Sequence, residues 1–176
     1  GGLKLYGRQG LLGFGALHAV TGSPTSQWSV ARAQADLGTA ARTGAMATLQ
    51  LVDGRTNPLY SVGADASLRA ADERLELSSF WAATFDGAQE QGMAAQTVVR
   101  WRGEELTPEL SALWVEDGFD PALGYVQRSG VLSSRAGLTW LKQAPGPSLE
   151  QLQLYVGGRL DTSADLEENL GGLAEA

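Results

Sequence analysis

The stretch YSVGADASLR, residues 60–69, alternates between apolar and polar side chains at every position. The apolar set is Tyr60, Val62, Ala64, Ala66 and Leu68, and the other set is Ser61, Gly63, Asp65, Ser67 and Arg69. Successive side chains of a β-strand point to opposite faces, so this period of two residues predicts a strand whose two faces meet different environments.

The same alternation recurs along the chain, between short turn signals. It is clear in 93–102, 132–142 and 152–161, and weaker in 3–8, 11–20, 28–37, 45–52, 74–85 and 106–115. These segments are about 8–12 residues long, near the length of a tilted membrane strand and longer than the usual strand of a globular protein. They predict an all-β fold, an antiparallel meander of about ten strands that forms a transmembrane-type β-barrel or part of one. A short helix over 35–47 is the second interpretation there, because of its alanines.

Composition limits the function classes. The chain has no cysteine, which excludes disulfide scaffolds, thiolate zinc sites and cysteine nucleophiles. A net charge of -7 with singly scattered basic residues argues against a nucleic-acid partner. No apolar run reaches the roughly 20 residues of a membrane-spanning helix. We expect one β-barrel domain over 1–176, with an acidic loop or tail at 161–176.

The two faces of the strands decide between two interpretations. If the apolar set faces lipid, leucine, alanine and glycine suffice there, and tryptophans near strand ends fit an aromatic girdle at the membrane interface. The candidate interface aromatics are Trp101, Trp114 and Trp140. The candidate lumen-lining residues are Asp65, Arg69, Gln96, Arg100, Arg135, Gln153 and Arg159. The alternative is a soluble barrel or sandwich with the apolar set as its core and a small ligand in its interior.

One segment resembles a known family. Residues 114–130, WVEDGFDPALGYVQRSG, look like the F-N-P-E-L-G-F-V-x-R connection of the outer-membrane β-barrels classed as the domain of unknown function numbered 5916. The opening hairpin and the stretch VGGRL, residues 156–160, are similar to other parts of that family. Its members are several times longer and follow a carbohydrate-binding module of the family 9 type. The resemblance therefore implies a fragment of a larger barrel in the bacterial outer membrane, with lipid, glycan and barrel-completing chains as partners.

Candidate chemistry is sparse. His18 is the only imidazole, and we interpret it as a lumen or interface residue and not as a catalytic one. The acidic turn at 116–120 and the acid pairs 104–105 and 167–168 are interpreted as turn and loop charges, since neighbouring residues of a strand cannot face one cleft. The sequence predicts no cofactor and no metal. Arg69, Arg100, Arg135 and Arg159 either form an arginine ring that favours anions or pair with acids such as Asp65, Glu76 and Asp161; pairing is preferred.

The predicted function is a non-enzymatic outer-membrane β-barrel with a surface role in glycan binding or uptake. A glycan-active enzyme is the third hypothesis and rests on family association alone. The sequence names neither the solute nor the total number of strands.

Overall fold

Ten β-strands make up the regular structure of the chain. The computed structural model describes residues 1–22, 25–121, 129–143 and 151–163. The strands are β1 (Gly2–Gln9), β2 (Leu12–Thr21), β3 (Ser26–Leu37), β4 (Ala41–Val52), β5 (Leu59–Ala70), β6 (Leu75–Asp86), β7 (Gln89–Trp101), β8 (Leu106–Val115), β9 (Val131–Gln143) and β10 (Gln151–Ser163). They have 8 to 13 residues each, so the predicted strand lengths are confirmed.

All ten strands belong to one sheet in sequence order, and each pairs antiparallel with the next. The predicted meander is therefore confirmed. The sheet is not closed, since β1 and β10 are its two edges. Part of a barrel has this arrangement, and an open edge leaves backbone hydrogen-bonding groups for a neighbouring strand.

The alternative helix over 35–47 is wrong. Residues 38–40 form a turn between β3 and β4, and Gly38 has a φ of 80°. Glycine adopts this left-handed conformation without strain, so it ends one hairpin arm and begins the next. No helix among the described residues is long and apolar enough to span a membrane.

The turn between β5 and β6 takes an uncommon backbone path. Ala71, Asp72 and Glu73 have φ values of 51°, 55° and 66°, so three consecutive residues with side chains are left-handed. That conformation brings Cβ close to the following carbonyl oxygen, which makes it unfavourable for residues other than glycine. This turn therefore holds local backbone strain.

The buried core is small and lies on one side of the sheet. Its apolar members are Ala94, Val115 and Val131, with Phe80, Leu113 and Phe119 packed against them. Most large apolar side chains of the strands are instead exposed, as Leu5, Leu110 and Leu154 are at 60%, 59% and 53%. Because so few side chains are buried, the exposed apolar side chains need an apolar medium or a covering layer that removes them from water.

The chain beyond Asp161 differs in part from the predicted acidic tail. Residues 161–163 belong to β10 and pair with β9, with Asp161 opposite Ser133. Residues 164–176 lie outside the described part of the chain.

Candidate functional site

The pairing register assigns every strand residue to one of two faces, because directly opposed residues of neighbouring strands point the same way. Sixteen Asp, Glu, Lys and Arg residues lie in the strands, and fourteen of them share one face. This charged face carries Lys4, Arg8, Arg32, Asp36, Arg42, Asp65, Arg69, Glu76, Asp86, Arg100, Glu109, Arg135, Arg159 and Asp161. The two others, Glu90 and Lys142, lie near strand ends.

The opposite face, here called the apolar face, has the composition of a core but is exposed. Between the strand ends it consists of apolar, aromatic, glycine and small polar residues together with His18. Conversely, all buried strand residues of the described part of the chain lie on the charged face. They are Gly44, Thr48, Ser61, Thr84, Gly92, Ala94, Val115, Val131 and Ser133. In a water-soluble sheet the buried positions usually lie on the apolar side, whereas here they lie on the charged side.

Ion pairs cover the charged face. Asp36 binds the guanidinium groups of Arg8 and Arg42, each with an N to O distance of 2.6 Å. Arg32 on β3 reaches Asp65 on β5 across the whole of β4, at 2.8 Å. This crossing passes over Gly44, where a side chain would lie 2.8 Å from an Asp65 oxygen. The glycine therefore leaves the space that the ion pair occupies.

A second group of charges centres on Glu76. Its carboxylate lies 3.8 Å from Arg69, 3.6 Å from Arg100 and 2.8 Å from Arg102. Arg100 also donates two hydrogen bonds to Glu109 on the next strand. In a lumen these charged groups would be partly removed from water, and the network would supply their hydrogen-bond partners. An isolated ion pair in open water contributes only about 0–1 kcal/mol to stability.

All seven predicted lumen residues lie on the charged face. Arg69, Arg100 and Arg159 are paired with acids, and the Arg159 partner is Asp161 at 2.6 Å. Gln96 lies between Phe80 and Leu113, and Gln153 lies opposite Leu141. Whether this face lines a lumen stays a prediction. Arg135 differs from the other arginines, since within the described ranges no carboxylate lies within 4.0 Å of it.

The three predicted interface tryptophans all lie on the apolar face. Trp101 and Trp140 are at one end of the strands, opposite Leu75 and Leu106, and Trp114 is at the other end, opposite Leu132. The three tryptophans therefore lie at two levels of the sheet, and their place at a membrane interface stays a prediction. Trp81 departs from it, since it is mid-strand on the same face and 52% exposed.

The segment 116–121, here called the inner segment, leaves β8 and folds onto the charged face. The Asp120 N–H donates to the Thr84 hydroxyl at 3.4 Å, and the Thr84 hydroxyl donates to the Gly92 carbonyl at 3.2 Å. Glu116 accepts a hydrogen bond from the Met93 N–H at 2.8 Å. The bare backbone of Gly92 admits this approach, because a methyl group there would lie 2.5 Å from the Phe119 nitrogen. The segment therefore covers the part of the charged face around Thr84 and Gly92.

A cavity lies beside the inner segment. It has a volume of about 340 Å³ and is lined by Arg32, Asp65, Phe80, Phe119 and Pro121, among others. The resembling stretch, 114–130, begins at the end of β8 and includes the inner segment, and its residues 122–128 lie outside the described ones.

The remaining candidates form no catalytic arrangement among the described residues. The His18 Nδ1 lies 3.0 Å from the Ser29 hydroxyl, but both belong to the apolar face, away from the carboxylates of the charged face. Glu104 lies 3.7 Å from Arg74, and Glu105 accepts a hydrogen bond from Trp140. No group of three or more His, Asp or Glu residues within the described ranges is arranged to hold a metal ion.

Sequence reasoning missed several members of this site. Arg32, Asp36, Arg42 and Glu109 form ion pairs on the charged face. Arg32, Asp36 and Glu109 fall in segments where the alternation is weak, and Arg42 falls between two such segments. The hairpin register could have found them, since Asp36 lies opposite Arg42 and Arg100 opposite Glu109. Ser29 could have been found beside His18 in the same way.

Comparison of the chain with protein-family models, with curated proteins and with solved structures gives no match.

Proposed function

We propose that this chain forms part of the wall of a non-enzymatic β-barrel in the bacterial outer membrane. Its apolar face contacts lipid and its charged face lines a water-filled or plugged lumen. The observation that carries the proposal is the separation of charges: fourteen of sixteen strand charges lie on one face, and most of the large apolar side chains of the other face are exposed. In a bilayer, the exposed leucines of the apolar face would be surrounded by lipid, and the charges of the other face would be in contact with water.

Two further features support a membrane wall. The strands have the length that a tilted membrane strand needs, and three of the tryptophans lie at strand ends on the apolar face. The open edges of β1 and β10 would then pair with further strands, from the same polypeptide or from other chains. β1 and β10 run in opposite directions, so an even number of additional strands between them would close the sheet with every pair antiparallel.

The surface role in glycan binding or uptake depends on the family resemblance alone. The inner segment agrees with a narrowed passage, because it lies on the charged face beside the cavity. For the soluble alternative, a second layer would have to cover Leu154 and Val156, which are 53% and 64% exposed.

The test is folding with and without lipid. We expect the purified chain to aggregate or lose its strand signal in buffer, and to give a stable β-sheet circular dichroism spectrum in uncharged detergent and float with liposomes. A chain that stays folded and monomeric in buffer and fails to float with liposomes would contradict the proposal.

A further inference from the structure

Arg135 is an exception among the arginines. Ten arginines lie in the described part of the chain, and nine of them have a carboxylate oxygen within 4.0 Å. Arg135, exposed on β9, has none among the described residues. The other described arginines each have a carboxylate partner, whereas the Arg135 guanidinium keeps its five donors open.

A second arginine lies beside Arg135 on this face. Arg159 lies directly opposite on β10, and Ser111 lies opposite on β8. Like charges opposed across two strands repel each other. Asp161 binds Arg159 at 2.6 Å, so one positive charge of the pair stays unmatched there.

Tyr155 brings a hydroxyl group to the same place. Its side chain lies over Gly137 and Gly157, and a methyl group on Gly137 would lie 2.9 Å from the tyrosine hydroxyl oxygen. On the charged face, Gly137 is the next residue after Arg135 along β9, and Gly157 is the residue before Arg159 along β10. The hydroxyl therefore lies over the positions that adjoin Arg135 and Arg159 on this face, in the space that the two glycines leave open.

We propose that Arg135, Arg159 and Tyr155 form a binding site for one oxyanion, a carboxylate or phosphate group. A guanidinium binds such a group through two parallel N–H donors, and the anion removes the repulsion between the two arginines. Tyr155 and Ser111 supply hydroxyl donors at its rim. The site depends on contacts of the charged face and not on the membrane, so its test is independent of the function proposed above.

Isothermal titration with inorganic phosphate, and separately with acetate, tests the site. The full chain is kept folded in uncharged detergent or in buffer, whichever preserves its strand signal, at low ionic strength. We expect saturable binding of one anion by the wild type. Arg135→Gln should weaken it by about tenfold or more, because a charge-assisted hydrogen-bonded pair is lost. Arg135→Lys, which keeps the charge but not the fork, and Tyr155→Phe should give smaller losses.

Arg69→Gln is the matched control. Arg69 is an arginine of the same face, but it already lies beside Glu76, so its loss should leave the phosphate affinity unchanged. The molecular mass of the protein, measured with and without phosphate, distinguishes two sources of the anion in the folded protein. An unchanged mass indicates a free solute, and dissociation of an assembly by phosphate indicates a carboxylate of a second copy; both support the site. No binding by the wild type, or equal binding by Arg135→Gln, would overturn it.

Discussion

Arg32 and Asp65 form an ion pair across an intervening strand, with the Arg32 Nη2 and Asp65 Oδ2 atoms 2.8 Å apart above the backbone of Gly44. The pair links β3 to β5 across β4, at the position where Gly44 has no side chain. A curled sheet brings residues two strands apart together on its inner side, so this ion pair agrees with a charged face that is concave.

Gly44→Ala should lower the free energy of unfolding by about 1–2 kcal/mol, because its methyl group would lie 2.8 Å from Asp65 and 3.0 Å from Arg32. Gly158→Ala is the control, since nothing lies within 4 Å of the added methyl group there. It should leave stability unchanged or raise it by about 0.5 kcal/mol. Denaturant titration of both variants in the same detergent makes the comparison. Equal losses in the two variants would argue against the crossing at Gly44.

A charge placed on the apolar face should be destabilising only in a membrane. Ala64→Glu introduces a carboxylate at mid-strand on that face and should lower stability in lipid by about 2 kcal/mol. Ser67→Glu adds the same side chain to the charged face, opposite Arg42, and should have little effect. Unfolding from liposomes by urea measures both. A harmless Ala64→Glu would count against a lipid-facing surface.

The position of the inner segment depends on the bare backbone of Gly92. Gly92→Ala places a methyl group 2.5 Å from the Phe119 nitrogen, so we expect the segment to be displaced. Chymotryptic cleavage after Phe119 should then become faster, on the order of tenfold. Gly15→Ala is the control on the same face, because its methyl group would meet only the Leu5 carbonyl at 3.9 Å. An unchanged cleavage rate in Gly92→Ala would show that the segment does not rest there.

The β5 to β6 turn should be improved by glycine. Ala71→Gly removes the Cβ from a residue with a φ of 51° and should raise the free energy of unfolding by about 0.5 kcal/mol. Ala66→Gly, in the regular part of β5, should lower it by about 1 kcal/mol. Thermal unfolding of the two variants compares the signs. A loss of stability in both would mean that the turn is not strained.

The strands could be predicted from the sequence because an alternation of two residues is local and survives in segments such as 60–69. The meander also followed, since turn residues such as Gly38 and Gly54 separate the strands at short distances. The ion-pair partners could not be predicted in the same way. Arg32 and Asp65 are 33 positions apart in the sequence. They meet because the register of two hairpins brings them together and because Gly44, between them, has no side chain.

The inner segment was missed for a similar reason. Its approach to the charged face depends on Thr84 and Gly92, which belong to other strands. Nothing in the local sequence of 116–121 indicates whether it extends outward or folds back. The unmatched charge of Arg135 likewise becomes visible only when the neighbours of each arginine are known.

Nitroxide labels on β5 test the central claim most directly. The chain has no cysteine, so single cysteines at Ala66 and Ser67 label one site each. The two residues are adjacent and both exposed, but they belong to the apolar and the charged face. In liposomes, a label at 66 should be relaxed by oxygen, which concentrates in lipid, and a label at 67 by a water-soluble nickel chelate. Equal access of the nickel chelate to both labels would contradict a membrane wall.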